Sequence, residues 1–91
     1  MFLKDPDSVL EYRVEWTAAL GEGVTLLSSE WRVEPEEADG MLVVGDVIAG
    51  SGAVVRLGGG VPGHVYRVGN RVLLSDGTSD ERSLVLRVEE R

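Results

Sequence analysis

The densest group of chemically capable side chains lies in "DGTSDERSLVLRV", residues 76 to 88, where Asp76, Thr78, Asp80, Glu81 and Arg82 stand between a turn and an alternating strand. Asp and Thr at this spacing can cap turn amides, and Glu81 or Arg82 can pair locally. The group therefore reads first as a structural turn cluster and second as a partner-contact site. Nucleophilic catalysis has little to draw on: there is one histidine, His64, in a Pro-Gly turn, no cysteine, and no serine in a nucleophile-elbow sequence. A solvated turn histidine is expected. Carboxylates are plentiful, but a 91-residue chain leaves little room for a substrate cleft between a catalytic pair. No catalytic residue is assigned, and the chain reads as a non-enzyme.

Cofactor and metal chemistry are equally thin. "GSG" and "GGG" lack the Lys and Ser or Thr of a Walker loop and open no helix, so their glycines are read as turn formers and no cofactor is expected. Carboxylates cluster in "KDPDS", with Asp5 and Asp7, and in "EPEEAD", from Glu34 to Asp39, but neither has the spacing of a twelve-residue calcium loop. No metal site is assigned. Trp16 and Trp31 could form a stacking platform for sugars. However, Trp16 continues the face of Tyr12 and Val14, and Trp31 aligns with Val33, so both are placed in the core.

Charge narrows the partners. The formal net charge is −7, with eleven acidic against three basic residues in positions 1 to 50 and five against six in positions 51 to 91. The first half of the chain is a poor match for a nucleic-acid backbone, because binding it requires cations against phosphates. No apolar run approaches the roughly 18 to 20 residues that cross a bilayer, and the N-terminus lacks the succession of a signal peptide, so neither membrane nor nucleic acid is an expected partner. Without cysteine, no disulfide supports the fold.

These residues must be held by strands. "SVLEYRVEWTAAL" alternates Tyr12, Val14 and Trp16 with Glu11, Arg13 and Glu15, which predicts a strand over about residues 9 to 17. "VTLLSSEWRVE" follows "GEG", and its polar Ser28 and Ser29 suggest a bulge or an edge. "MLVVGDVIAG" and "GAVVRLGGG" form a hairpin with a loose glycine-rich turn, and Ala53, Val55 and Leu57 share a face. In "GHVYRVGNRVLLSDG", Tyr66, Val68, Asn70, Val72 and Leu74 face one way; in the last strand Leu84, Leu86 and Val88 face inward. Residues 1 to 8 are an extended N-terminal arm. The whole predicts a single all-β domain over residues 1–91, an immunoglobulin-like antiparallel β-sandwich of six to seven strands. Tyr66 stands where such sandwiches place a corner tyrosine, or is one more inward aromatic.

Register follows from parity. A two-residue turn at Asp76-Gly77 would pair residues summing to 153 and drive one strand's apolar side chains into water, so an even sum is required. A sum of 156 pairs Val72 with Leu84 and leaves a wide loop near residues 76 to 80; 154 or a bulge is the nearby alternative. Outward-facing Arg67 and Arg71, with Arg87 beside them, form a possible basic strip for protein contact; alternatively, they only keep an exposed sheet soluble.

"KDPDSVLEYRVEWTAAL", "SSEW", the glycine-rich strand pair and "YRVGNRVLLSDGTSDERSLVLRV" together resemble the phage fiber-tail adaptor family, small virion proteins of tailed phages and prophages. The features that carry the resemblance fall on Lys4, Asp5 and Pro6; on Tyr12 and Trp16; on Ser29 and Trp31; and on Thr78, Asp80, Glu81, Arg82 and Ser83. The acidic "EWRVEPEEADG" departs from the family pattern, so a contact made there does not transfer. The resemblance implies an immunoglobulin-like, non-enzymatic structural adaptor that joins tail or fibre proteins, or further copies of itself. It would sit in the virion tail or a related particle after assembly in the bacterial cytoplasm. An immunoglobulin-like adhesin or carbohydrate-binding module is the alternative.

Overall fold

Alternation of apolar and polar residues builds the two layers. The computed structural model of the chain describes residues 2–90. Among these residues, seven strands run β1 (Phe2–Lys4), β2 (Leu10–Glu15), β3 (Leu26–Glu34), β4 (Met41–Ala49), β5 (Gly52–Gly59), β6 (Val65–Leu74) and β7 (Ser79–Val88), with a 3-10 turn at Thr17–Ala19. One sheet has the order β1-β7-β6-β3 and the other β2-β5-β4. This is an immunoglobulin-like sandwich, with the first strand added parallel to the last. The stretch expected as an arm thus contains β1, in which Phe2 stands opposite Leu86 and Lys4 opposite Val88.

The inner faces are the ones the alternation marks. Val55, Leu57, Tyr66, Val68, Leu86 and Val88 close one half of the core with Met41, while Trp16, Leu26, Ala53, Val72 and Leu74 close the other. Trp31 packs against both halves. β3 is an edge strand, and its register shifts between Leu26 and Ser28, so both readings of the polar centre hold, with the irregularity at Leu27 just before it.

Two turns are tighter than expected. The β4–β5 hairpin pairs Ala49 with Gly52. Its loop is only Gly50-Ser51, and Gly50 has φ 61°, the arrangement of a two-residue turn with glycine first. In the β6–β7 hairpin, Val68 pairs with Leu84 and Leu73 with Ser79. These pairs sum to 152, an even number as parity required, but smaller than either 156 or 154. The three-residue loop Ser75 to Gly77 closes because Gly77 takes φ 90°, and Leu74 N–H donates to the Thr78 carbonyl at 2.8 Å. Past β5, Gly60 lets the chain turn under Val88: a Cβ there would stand 2.5 Å from Val88 Cγ2.

Candidate functional site

The short β6–β7 turn disperses the residues of the opening cluster. Asp76 Oδ1 accepts from the Thr78 N–H at 3.0 Å and from its hydroxyl at 2.6 Å, bonds that hold the Asp76 carboxyl below its usual range. Asp80 Oδ1 accepts from the Glu81 N–H at 2.8 Å. Arg82 leaves the turn altogether. Its guanidinium lies 4.7 Å from the centre of the Trp16 ring, and Nη1 donates to the Glu15 carbonyl at 2.8 Å, bridging the two sheets. Of the two residues expected to pair locally, Glu81 or Arg82, Arg82 does not: it stands opposite buried Asn70, and its side chain is carried to the inner side and across the gap. Glu81 pairs in register with Arg71 on the outer side.

That outer side holds the arginines. Glu30, Arg71 and Glu81 form one row across β3, β6 and β7; Glu34, Arg67 and Val85 form another. Arg67 Nε donates to Ser83 Oγ at 3.2 Å, and Arg87 pairs with Glu89 at 3.0 Å. Arg67, Arg71 and Arg87 therefore share a sheet face on which glutamates alternate with them. In its middle, Gly69 leaves a shallow pit of about 170 Å³ lined by Glu30, Arg32, Glu34, Arg71 and Glu81.

Two further clusters join segments that are remote in sequence. At one end, the Tyr66 hydroxyl accepts from the Val61 N–H at 3.0 Å, the bond of a tyrosine corner. It also donates to Glu37, whose Oε1 lies 2.7 Å from His64 Nδ1. His64 is thus engaged with the β3–β4 connection rather than merely solvated. Bonds from Tyr66 and His64 hold the Glu37 carboxyl low, while burial, followed by the bond to Glu37, pushes the Tyr66 phenol up. At the other end, Glu15 accepts from Thr17 Oγ at 2.5 Å, from Ser51, and from Arg13 Nε at 3.0 Å. The Ser51, Thr17 and Arg13 bonds, in that order of weight, take its pKa down to about 2. Neither glutamate stood out in the sequence, because each is completed by groups remote from it in the chain, Ser51 for Glu15 and His64 and Tyr66 for Glu37.

The interior carries one polar junction. Trp16 Nε1 donates to Asn70 Oδ1 at 2.9 Å, and Asn70 Nδ2 donates to Ser29 Oγ at 2.8 Å and to the Glu30 carbonyl at 3.1 Å. Trp16 is fully buried, so no exposed indole platform exists at that position. Among the described residues, no three of His, Cys, Asp and Glu come together as a metal site. The arrangement fixes sheets to one another and leaves broad faces free, which suits contact with proteins rather than turnover.

No curated protein matches the chain. Residues 4–87 match the family described as "Podophage GP4 fiber-tail adaptor protein gp77". That span runs from buried Lys4 in β1 to Arg87 in β7 and takes in both sheets. The chain belongs to this podophage fiber-tail adaptor family and is a non-enzymatic structural protein of the phage tail.

Proposed function

We propose that the chain joins two different tail or fibre proteins by presenting a chemically distinct surface to each. The observation that carries this reading is the contrast between the outer faces of the sandwich. The β1-β7-β6-β3 face alternates Arg67 and Arg71 with Glu30, Glu34 and Glu81. The β2-β5-β4 face carries Glu11, Arg13 and Arg56 toward β2, but it also exposes apolar Val9 and, on its β4 side, Leu42, Val44 and Val47, each more than half accessible. Gly58 lies between two of them: a Cβ there would meet Val44 at 3.3 Å and Val9 at 3.6 Å. Opposed faces of unlike chemistry suit a link between unlike partners.

Arg67, Arg71 and Arg87 are the proposed contact residues of the charged face. Its interleaved signs also make it complementary to itself, so another copy of the chain is a candidate occupant there. Assembly in the bacterial cytoplasm belongs to the same proposal; a fold without cysteine is independent of the redox state of that compartment. The experiment reverses Arg67 and Arg71 to Glu and measures binding to each purified tail and fibre protein across a salt series. Weakened binding to one of them, or loss of self-association, with unchanged melting, is the expected result. Unchanged binding throughout removes the charged face from the adaptor's contacts.

A further inference from the structure

Four strands end the two sheets, and they are not equally protected. β1 has three residues, too few to template another strand. β2 carries Glu11, Arg13 and Glu15 at alternate positions, and β3 carries Glu30, Arg32 and Glu34 before reaching Pro35. Charges and proline are the usual guards of a sheet edge. β4 is nine residues long, contains one charged residue, Asp46, and exposes Leu42 (62%), Val44 (56%) and Val47 (57%). A register shift between Val43 and Gly45 interrupts its pairing with β5, but places no charge or proline there.

The surroundings of this edge define what would cover it. Between β3 and β4 lies a cleft of about 420 Å³ with Trp31, Val33, Met41, Leu42 and Val43 in its walls and one cation, Arg32, against two carboxylates, Glu36 and Glu37, beside them. Counting from β3 through β4, Glu34, Glu36, Glu37, Asp39 and Asp46 follow Arg32, the nearest cation in that stretch. A second copy brought edge to edge would add another net charge of −7 beside these carboxylates. A basic segment would meet them favourably.

Resting on the adaptor reading above, we propose that β4 accepts an added strand from a tail or fibre protein, and that this strand is apolar at alternate positions and carries Lys or Arg toward the acidic β3–β4 connection. Main-chain bonds along β4 supply affinity, the cleft takes an apolar side chain, and the carboxylates select the partner's charge.

The test uses the full chain, its Leu42→Lys and Val47→Lys variants, and the Arg67→Glu/Arg71→Glu variant. Each is titrated with the individually purified tail and fibre proteins of its particle at low and high salt. Leu42 and Val47 pair with outward Gly58 and Val54, so lysine enters at exposed positions; two separate variants keep the test valid if one fails to fold. One partner should lose about tenfold or more in affinity to each lysine variant, should bind the unsubstituted chain less tightly as salt rises, and should be indifferent to the arginine reversal. Its binding should also change the indole fluorescence through Trp31, since Trp16 is sealed in the core. Wild-type affinity in folded lysine variants overturns the inference and the contact proposed for the apolar face with it, whereas the charged-face contact stands or falls separately on the arginine reversal. Self-association lost in those variants assigns the edge to a second copy and overturns the partner. A chain that binds none of the tail or fibre proteins overturns both readings.

Discussion

Trp16 illustrates how one residue serves several ends at once: its ring fills the half of the core around Leu26 and Val72, its N–H meets Asn70, and Arg82 covers its face. Replacing it with Ala removes the packing and leaves the Asn70 oxygen unpaired, so urea unfolding should show a loss of about 3–5 kcal/mol. A loss under about 1 kcal/mol would contradict a core role. Glu15 makes a different prediction, in pH. Its folded pKa, about 2, lies below the ordinary 4.5, so the unfolded chain binds more protons between these values. Its contribution is complete above pH 4.5 and is lost as pH falls toward 2. Asp76 and Glu37 are held low as well and add to the same acid limb. Glu15→Gln should therefore flatten that limb only in part; the check is the urea midpoint measured from pH 6 to pH 2.

At the scale of elements, strand faces were legible because side chains alternate with period two, and burial at every second position of β6 from Tyr66 to Leu74 follows the alternation. Parity also fixed the class of register between β6 and β7. It could not give the distance, since that depends on whether Gly77 adopts a left-handed conformation and on how Ser75 is anchored. Ser75 N–H donates to the Thr25 carbonyl and Ser75 Oγ accepts from the Thr25 N–H, which pulls the turn onto the segment before β3. Arg82 to Glu15 and Tyr66 to Glu37 were illegible for a related reason: each joins elements far apart in the chain, and composition carries no record of such distances. Gly77→Ala should cost about 1–2 kcal/mol, while Gly77→Asn should recover much of it, because Asn tolerates φ near 90° better. Equal melting for all three chains would show that the turn does not depend on that conformation. At the corner, Tyr66→Phe should cost about 1–3 kcal/mol by leaving the Val61 N–H and Glu37 without their partner. Thermal melting at neutral pH measures it.

For the whole molecule, the sandwich is elongated, 44 × 20 × 20 Å, and a thin body of this kind needs its two sheets tied near the ends as well as in the middle. Arg82 makes one tie and Lys4 makes another. Lys4 lies in β1, at the edge of the four-stranded sheet, yet its Nζ donates to the carbonyl of Gly59 in β5 at 2.6 Å and to that of Asp5 at 2.8 Å. Burial lowers its pKa, opposed by the nearby Asp5 and Asp7. A lysine in the first strand looked like a surface charge; what buries it is the parallel pairing of β1 with β7, which aims the side chain at the far sheet. Lys4→Met keeps the length of the side chain and removes the bonds, so it isolates their contribution from packing. Hydrogen bonds from a charged donor contribute about 1.5–3 kcal/mol, and a loss in that range is expected. The loss should be local before it is global, because β1 is short and the Glu89 N–H donates to the Lys4 carbonyl at 2.9 Å. Hydrogen exchange should therefore accelerate first at Glu89, while β6 amides keep their protection. If the Glu89 amide exchanges as in the unsubstituted chain and the melting temperature is unchanged, Lys4 does not tie the sheets, and the end of the sandwich is closed by apolar packing around Tyr66 and Val88 alone.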